Sequence, residues 1–199
     1  MLLPALLGAC KSAPEEPTTP VATTSAAAKA EAPPEAPKKR RKPAECHKAA
    51  VAILGESQEP GRWAKARPDL ECACEGGVGE ACTALATSYG PEGDGTRDDA
   101  KAFSAFGKAC ELGDGWGCNG LGNALSNGRG ATRDLVASHA KYKRGCELGD
   151  GMACSNAAAQ LANGRLGAPD PTGAAALFKK GCSLGDAPSC ASLQKLGGK

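Results

Sequence analysis

Aromatic side chains are scarce in this chain of 199 residues: 3 Phe, 2 Trp and 2 Tyr. Aromatics carry the largest apolar area of any side chains, so a core without them buries little area per residue. Net charge is also nearly absent, at +2, which removes the basic footprint of a nucleic-acid-binding protein. Long hydrophobic runs are missing as well. The apolar segment Met1–Cys10 falls far short of the roughly 20 residues that a membrane-spanning helix needs. No stretch alternates apolar and polar residues as a half-buried strand does. Alanine and glycine fill much of the apolar count, and 11 cysteines stand among them. A core so poor in bulk is expected to rely on covalent staples, and that many disulfides implies an oxidising compartment.

The cysteines are periodic. Cys110-Glu-Leu-Gly-Asp-Gly-Trp-Gly-Cys118 recurs as Cys146-Glu-Leu-Gly-Asp-Gly-Met-Ala-Cys154 and as Cys182-Ser-Leu-Gly-Asp-Ala-Pro-Ser-Cys190, with a degenerate copy, Cys74-Glu-Gly-Gly-Val-Gly-Glu-Ala-Cys82. Both cysteines of the motif step by 36 residues without drift, which marks an internal repeat. Within a copy, Gly113 suits the left-handed position past a helix end. Asp114 suits the N-cap of the next helix. Cys110 and Cys118 then lie in adjoining turns of a tight reversal, close enough to bond. Cys146 with Cys154 and Cys182 with Cys190 read the same way. Gly76 and Val78 replace Leu and Asp in the degenerate copy, so that junction is expected to be the loosest.

Cys46 occupies the second-cysteine slot one period before Cys82, and its usual partner slot holds Lys38. In an antiparallel helix pair the start of one helix lies beside the end of the other. That pairs Cys46 with Cys72 and leaves Cys74 for Cys82. Each loop of about nine residues is worth roughly 2.5 kcal/mol in the chain-entropy account of disulfides. Four such bridges rival the roughly 5–15 kcal/mol of a whole domain's net stability.

Each unit reads as two helices. The first helices are expected at 82–90, 118–126 and 154–163, and the second at 97–112, 133–148 and 170–184. Gly-Asp-Gly-Thr (93–96), Gly-Arg-Gly-Ala (128–131) and Gly-Arg-Leu-Gly (164–167) separate them. Asp98, Asp134 and Asp170 open the second helices, and Pro171 fits position one of its helix. Leu70, Phe106, Tyr142 and Phe178 share one repeat position, and Ile53, Tyr89, Leu125 and Leu161 another. Ala86, Gly122 and Ala158 let neighbouring helices approach. The fold class is all-α, a solenoid of helix pairs. Its units are 46–81, 82–117, 118–153 and 154–189, with a terminal half unit at 190–199. In the first unit Trp63-Ala-Lys-Ala-Arg-Pro68 is expected to interrupt the second helix.

Ahead of the repeats, Leu7-Gly8-Ala9-Cys10 resembles a bacterial lipobox, in which the signal is cut before a cysteine that carries lipid. Residues 1–10 are accordingly read as the apolar signal segment, with Cys10 as the lipidation site. They lack a basic n-region, so the true start is expected upstream. With Cys10 lipidated, the other ten cysteines make five bridges and leave no thiol. Residues 11–45 hold seven prolines and the run Lys38-Lys39-Arg40-Arg41-Lys42. This composition reads as a disordered tether, whose basic run could touch anionic lipid or cell-wall polymer.

Ala-Cys-Glu-Leu-Gly-Asp-Gly-Trp-Gly-Cys-Asn-Gly-Leu-Gly (109–122), Asn-Gly-Arg-Gly (127–130) and Arg-Gly-Cys-Glu-Leu-Gly-Asp (144–150) resemble the Sel-one-like repeat, a relative of the tetratricopeptide repeat. Cysteines eight apart match its disulfide-stapled, secreted bacterial branch. The resemblance spans residues 46–199. It implies a right-handed superhelix of α/α units and a protein-interaction role, through a concave face lined by the first helices. Thr83, Thr87, Asn119, Asn123, Ser155, Asn156 and Gln160 are the binding-face candidates. They are uncharged donors and acceptors, suited to peptide backbone or glycan hydroxyls rather than to a charged ligand. The expected partner is an extracytoplasmic protein or peptide, with membrane attachment through the lipid.

Some members of that branch carry a β-lactamase or penicillin-binding label, and Ser138-His-Ala-Lys141 and Ser192-Leu-Gln-Lys195 match Ser-x-x-Lys. No Lys-Thr-Gly accompanies them, and Ser138 aligns with Ala102 and Ala174, so it reads as a packing position. Cys72-Ala-Cys74 beside His47 is too closely spaced for the usual zinc pair, and His139 reads as packing or surface. Neither a catalytic residue nor a metal nor a cofactor is expected. A weak β-lactamase or peptidoglycan-acting enzyme and a cell-wall ligand-binding module are the alternative readings.

Overall fold

A computed structural model of the chain describes residues 41–56, 59–91, 93 and 97–197. The chain divides into Met1–Lys38 and Lys39–Lys199. Cys10 and the tether up to residue 40 lie outside the described residues. Among these, nine α-helices and no strand are present. They are α1 (Pro43–Glu56), α2 (Arg62–Glu75), α3 (Gly79–Ser88), α4 (Asp99–Glu111), α5 (Gly115–Asn127), α6 (Leu135–Glu147), α7 (Gly151–Ala162), α8 (Pro171–Ser183) and α9 (Ala187–Gly197). Each helix packs on the next in sequence.

The turn between repeats is the same at every junction. Gly113 N–H donates to Cys110 C=O at 3.1 Å and Asp114 N–H to Ala109 C=O at 3.0 Å. These are the two bonds of a Schellman turn, and they need a left-handed residue between them. Gly113, Gly149 and Gly185 supply it, with φ of 85°, 96° and 86°. Asp114 then reverses role and caps α5, its Oδ1 accepting from Trp116 N–H at 2.9 Å. Because the aspartate caps directly, α5 and α7 begin at Gly115 and Gly151, three residues before the expected starts at 118 and 154. The degenerate junction keeps both backbone bonds through Gly77 (φ 90°). Its loss is confined to the side-chain cap, since Val78 offers no acceptor.

Two expectations for the first unit need correction. α2 runs unbroken through Pro68. Proline forfeits one helical bond there, yet the helix buries Ala66, Leu70 and Ala73 and is tied to α1 by Cys46–Cys72. Arg41 adds an ion pair to the buried Asp69 of α2. This packing outweighs the lost bond. α1 also starts at Pro43, so the last residues assigned to the tether belong to a helix.

The five disulfides are Cys46–Cys72, Cys74–Cys82, Cys110–Cys118, Cys146–Cys154 and Cys182–Cys190. Cysteines 46, 82, 118, 146 and 154 stand with Leu70 and Gln160 among the largest fully buried side chains. Sulfur therefore supplies bulk that aromatic residues supply in most cores. Leu70, Tyr142 and Phe178 fill one repeat position, all buried. Gly122 lies so close to Tyr142 that a Cβ on it would stand 2.6 Å from the ring.

Helices α3, α5, α7 and α9 touch in succession, and more closely than the even-numbered helices touch one another. Stacked units crowd on the inner side of a curved array, so α3, α5 and α7 line the inner layer.

Candidate interaction groove

On that inner layer, α3, α4 and α5 enclose an open groove of about 310 Å³, reached also by the first turn of α7. Its depth comes from one glycine. A Cβ on Gly120 would meet the Phe106 ring at 2.4 Å, so the ring occupies space where other residues would project a side chain. Phe103 and Phe106 of α4 form an apolar wall. Trp116, 61% exposed, and Met152, 41% exposed, stand at the rim. Both are on first turns of inner helices, one repeat apart, and both are held by the aspartate caps Asp114 and Asp150.

Thr83, Thr87, Asn119 and Asn123 line this groove together. Thr83 Oγ donates to Asp114 Oδ2 at 2.9 Å, linking α3 to the next turn. Thr87 Oγ donates to Thr83 C=O at 3.0 Å, an ordinary intrahelical bond. Asn123 accepts from Tyr142 Oη at 2.7 Å, which leaves its amide N–H groups turned outward as donors. Asn119 is buried and accepts from Asn156 Nδ2 at 2.9 Å.

Ser155, Asn156 and Gln160 do not reach the groove. Gln160, 2% exposed, donates to Ser138 Oγ at 3.1 Å and accepts from His139 Nδ1–H at 3.2 Å. Ser138 is fully buried and donates to Gly122 C=O at 2.9 Å. A hydroxyl sealed between helices and held at both lone pair and proton is packing. Burial depresses the His139 pKa; the Gln160 contact opposes this and Lys143 adds to it. Cys72 and Cys74 are bonded to different partners, and among the described residues no cluster of ligand side chains could hold a metal.

The rim is charged, contrary to the uncharged face expected. Asp99 and Arg129 both line it. Arg97 grips Asp99 with two bonds, Nε at 3.0 Å and Nη2 at 2.9 Å, and these hydrogen bonds hold the carboxyl below its ordinary range. Among the described residues Arg129 has no side-chain hydrogen bond or ion pair. Reading the first helices alone missed Phe103, Phe106, Trp116, Met152 and Arg129. Trp116 and Met152 did leave a signal: a large apolar residue two positions after a capping aspartate, twice, at the same repeat position.

No family model matches the chain, and no curated protein does. Solved structures do. The chain is similar to c5321, a protective antigen of uropathogenic Escherichia coli strains displaying an SLR fold, at 22% identity over 79% of this chain and a TM-score of 0.68. It is similar to a Sel1 repeat protein from Oxalobacter formigenes at 21% identity over 81%, with a TM-score of 0.69. It spans 34% of the length of the first and 66% of the second. Helicobacter pylori cysteine rich protein B is matched over its whole length and 70% of this chain, at 27% identity and a TM-score of 0.56. The fold is thus the α/α solenoid that these structures share.

Proposed function

We propose that this Sel-one-like repeat protein is a non-catalytic scaffold that holds a segment of a partner protein, outside the cytoplasm. The observation that carries the reading is the groove on the inner layer. It joins an apolar wall and two exposed anchors to outward amide donors, the mixture found at binding hot spots. Five disulfides support an oxidising compartment. The test is selection from a random-peptide display library on the oxidised full chain. Peptides are expected to enrich and to lose binding with Trp116→Ala, which alters a side chain largely in solvent. No enrichment would count against the scaffold.

Attachment through lipid on Cys10 is part of the same proposal and rests on the sequence Leu7-Gly8-Ala9-Cys10. Radiolabelled palmitate should enter the wild-type chain and not Cys10→Ser in a bacterial host. Equal labelling of both would remove the anchor and leave the scaffold standing.

A further inference from the structure

The groove's charge and shape specify more than a protein partner. Resting on the scaffold reading above, we propose that the groove takes an extended peptide segment in which a large apolar side chain stands beside a carboxylate. The apolar side chain would enter between Phe103, Phe106 and Trp116, the carboxylate would pair with Arg129, and the Asn123 amide would donate to the peptide backbone.

Size comes first. A volume of about 310 Å³ lies at the lower end for ligand pockets, which suits one side chain with its backbone better than a larger ligand. Charge comes second. Two opposite charges line the rim, but they are not equivalent. Asp99 is paired with Arg97 through both oxygens. Arg129 is near enough to lower the Asp99 pKa, yet it forms no hydrogen bond to it. One guanidinium therefore keeps its planar fork of donors for an incoming anion, and a carboxylate matches that fork.

Repeat comparison shows that this combination is local. One repeat later, His139 stands where Phe103 does and Asn156 where Gly120 does. His139 is tied to Gln160 and Asn156 to Asn119. The next unit thus spends these positions on internal hydrogen bonds, and the second unit leaves its own open. Arg165 repeats Arg129 in sequence but lacks the phenylalanine wall beside it.

The experiment continues the peptide selection on the oxidised full chain. Enriched peptides should carry Phe, Trp, Leu or Met next to Asp or Glu. Binding is followed by Trp116 fluorescence in a Trp63→Phe background, and by titration calorimetry for Trp116→Ala. Arg129→Gln should weaken the acidic peptides about 10- to 100-fold, the range for losing a charge-assisted hydrogen bond. Arg129→Glu should turn the selection towards Lys or Arg beside the same apolar residue. Added salt should weaken binding to the wild type and leave Arg129→Gln nearly unaffected. Peptides that enrich without acid, or that bind Arg129→Glu unchanged, would overturn the carboxylate assignment while the scaffold survives. Peptides indifferent to Trp116→Ala would overturn the groove as their site. Failure of any peptide to enrich would overturn both proposals.

Discussion

Gly117 of α5 faces Ala109 of α4 across the Cys110–Cys118 turn, and a Cβ on Gly117 would lie 2.3 Å from the Ala109 Cβ. One repeat later the roles exchange. There the glycine is Gly145, on the outgoing helix, and its Cβ would stand 2.8 Å from that of Ala153. At each of these junctions the helices meet closely enough for one methyl group. Gly117→Ala should cost about 1–3 kcal/mol, as overpacking does. Ala109→Gly in the same chain should recover part of it, less the roughly 1 kcal/mol helix cost of a glycine, because Thr83 Oγ would still lie 3.0 Å from the new Cβ. Denaturant unfolding of the two single variants and the double variant measures the coupling. Additive losses would mean that the two positions do not share one space.

The disulfides allow a comparison in which chain entropy cancels. Cys110–Cys118 and Cys182–Cys190 both close loops of sequence separation 8. The chain-entropy account gives both about 2.5 kcal/mol. Their surroundings differ, since Cys110 and Cys118 are buried in a cluster with Leu121 while Cys182 and Cys190 are half-buried. Replacing both cysteines of each pair by serine should therefore destabilise the first pair more. The excess should be about 1–3 kcal/mol for polar groups left in an apolar site. Equal melting temperatures would assign the whole effect to loop closure.

Asp150 caps α7 with Oδ1, which accepts from Met152 N–H at 2.9 Å, while its Oδ2 is buried beside the Asn119 side chain without a well-formed hydrogen bond. The equivalent oxygen of Asp114 accepts from Thr83. Burial raises the Asp150 pKa above its ordinary 3.8 and the Asp186 charge adds to this, against the opposing backbone N–H groups of Ala153 and Met152 and the Asn119 side chain. A raised carboxyl holds its proton more tightly folded than unfolded. Stability from this group is therefore full below the ordinary value and declines as pH rises through the folded one. Asparagine keeps the cap acceptor and carries no charge. Asp150→Asn should stabilise by about 1 kcal/mol at neutral pH and by nothing near pH 3. Stabilisation that persists in acid would mean a cause other than ionisation.

How much of this was legible depended on what repeats. The Leu-Gly-Asp turn announces itself because glycine and aspartate are each demanded by one backbone position, and the same demand recurs every 36 residues. Pro68 misled because local propensity speaks against a helix that packing on α1 and α3 sustains. The groove was half visible. Thr83, Thr87, Asn119 and Asn123 lie on one inner face by phase alone. The Phe106 ring above Gly120, and the sharing of Arg97 between Asp99 and solvent, are properties of tertiary distance that no periodicity carries.

His139 supplies a last prediction with the opposite sign from Asp150. Burial lowers its pKa below the ordinary 6.5, the Gln160 contact resists, and Lys143 adds a repulsive charge. Between the lowered folded value and 6.5 the unfolded chain binds the proton and the folded chain does not. Stability therefore rises with pH through that window and is lost on acidification below about pH 6.5. The ring is only part-buried, so the loss should stay below about 1 kcal/mol. His139→Phe, which restores the residue of the preceding repeat, should flatten the profile between pH 5 and 7. It also strips Gln160 of the donor to its buried Oε1, so the variant should be less stable than wild type at pH 8, by about 1–3 kcal/mol. A flatter profile with no loss at pH 8 would show that water replaces the imidazole at Gln160. An unchanged profile would mean that His139 does not set the acid sensitivity in that window.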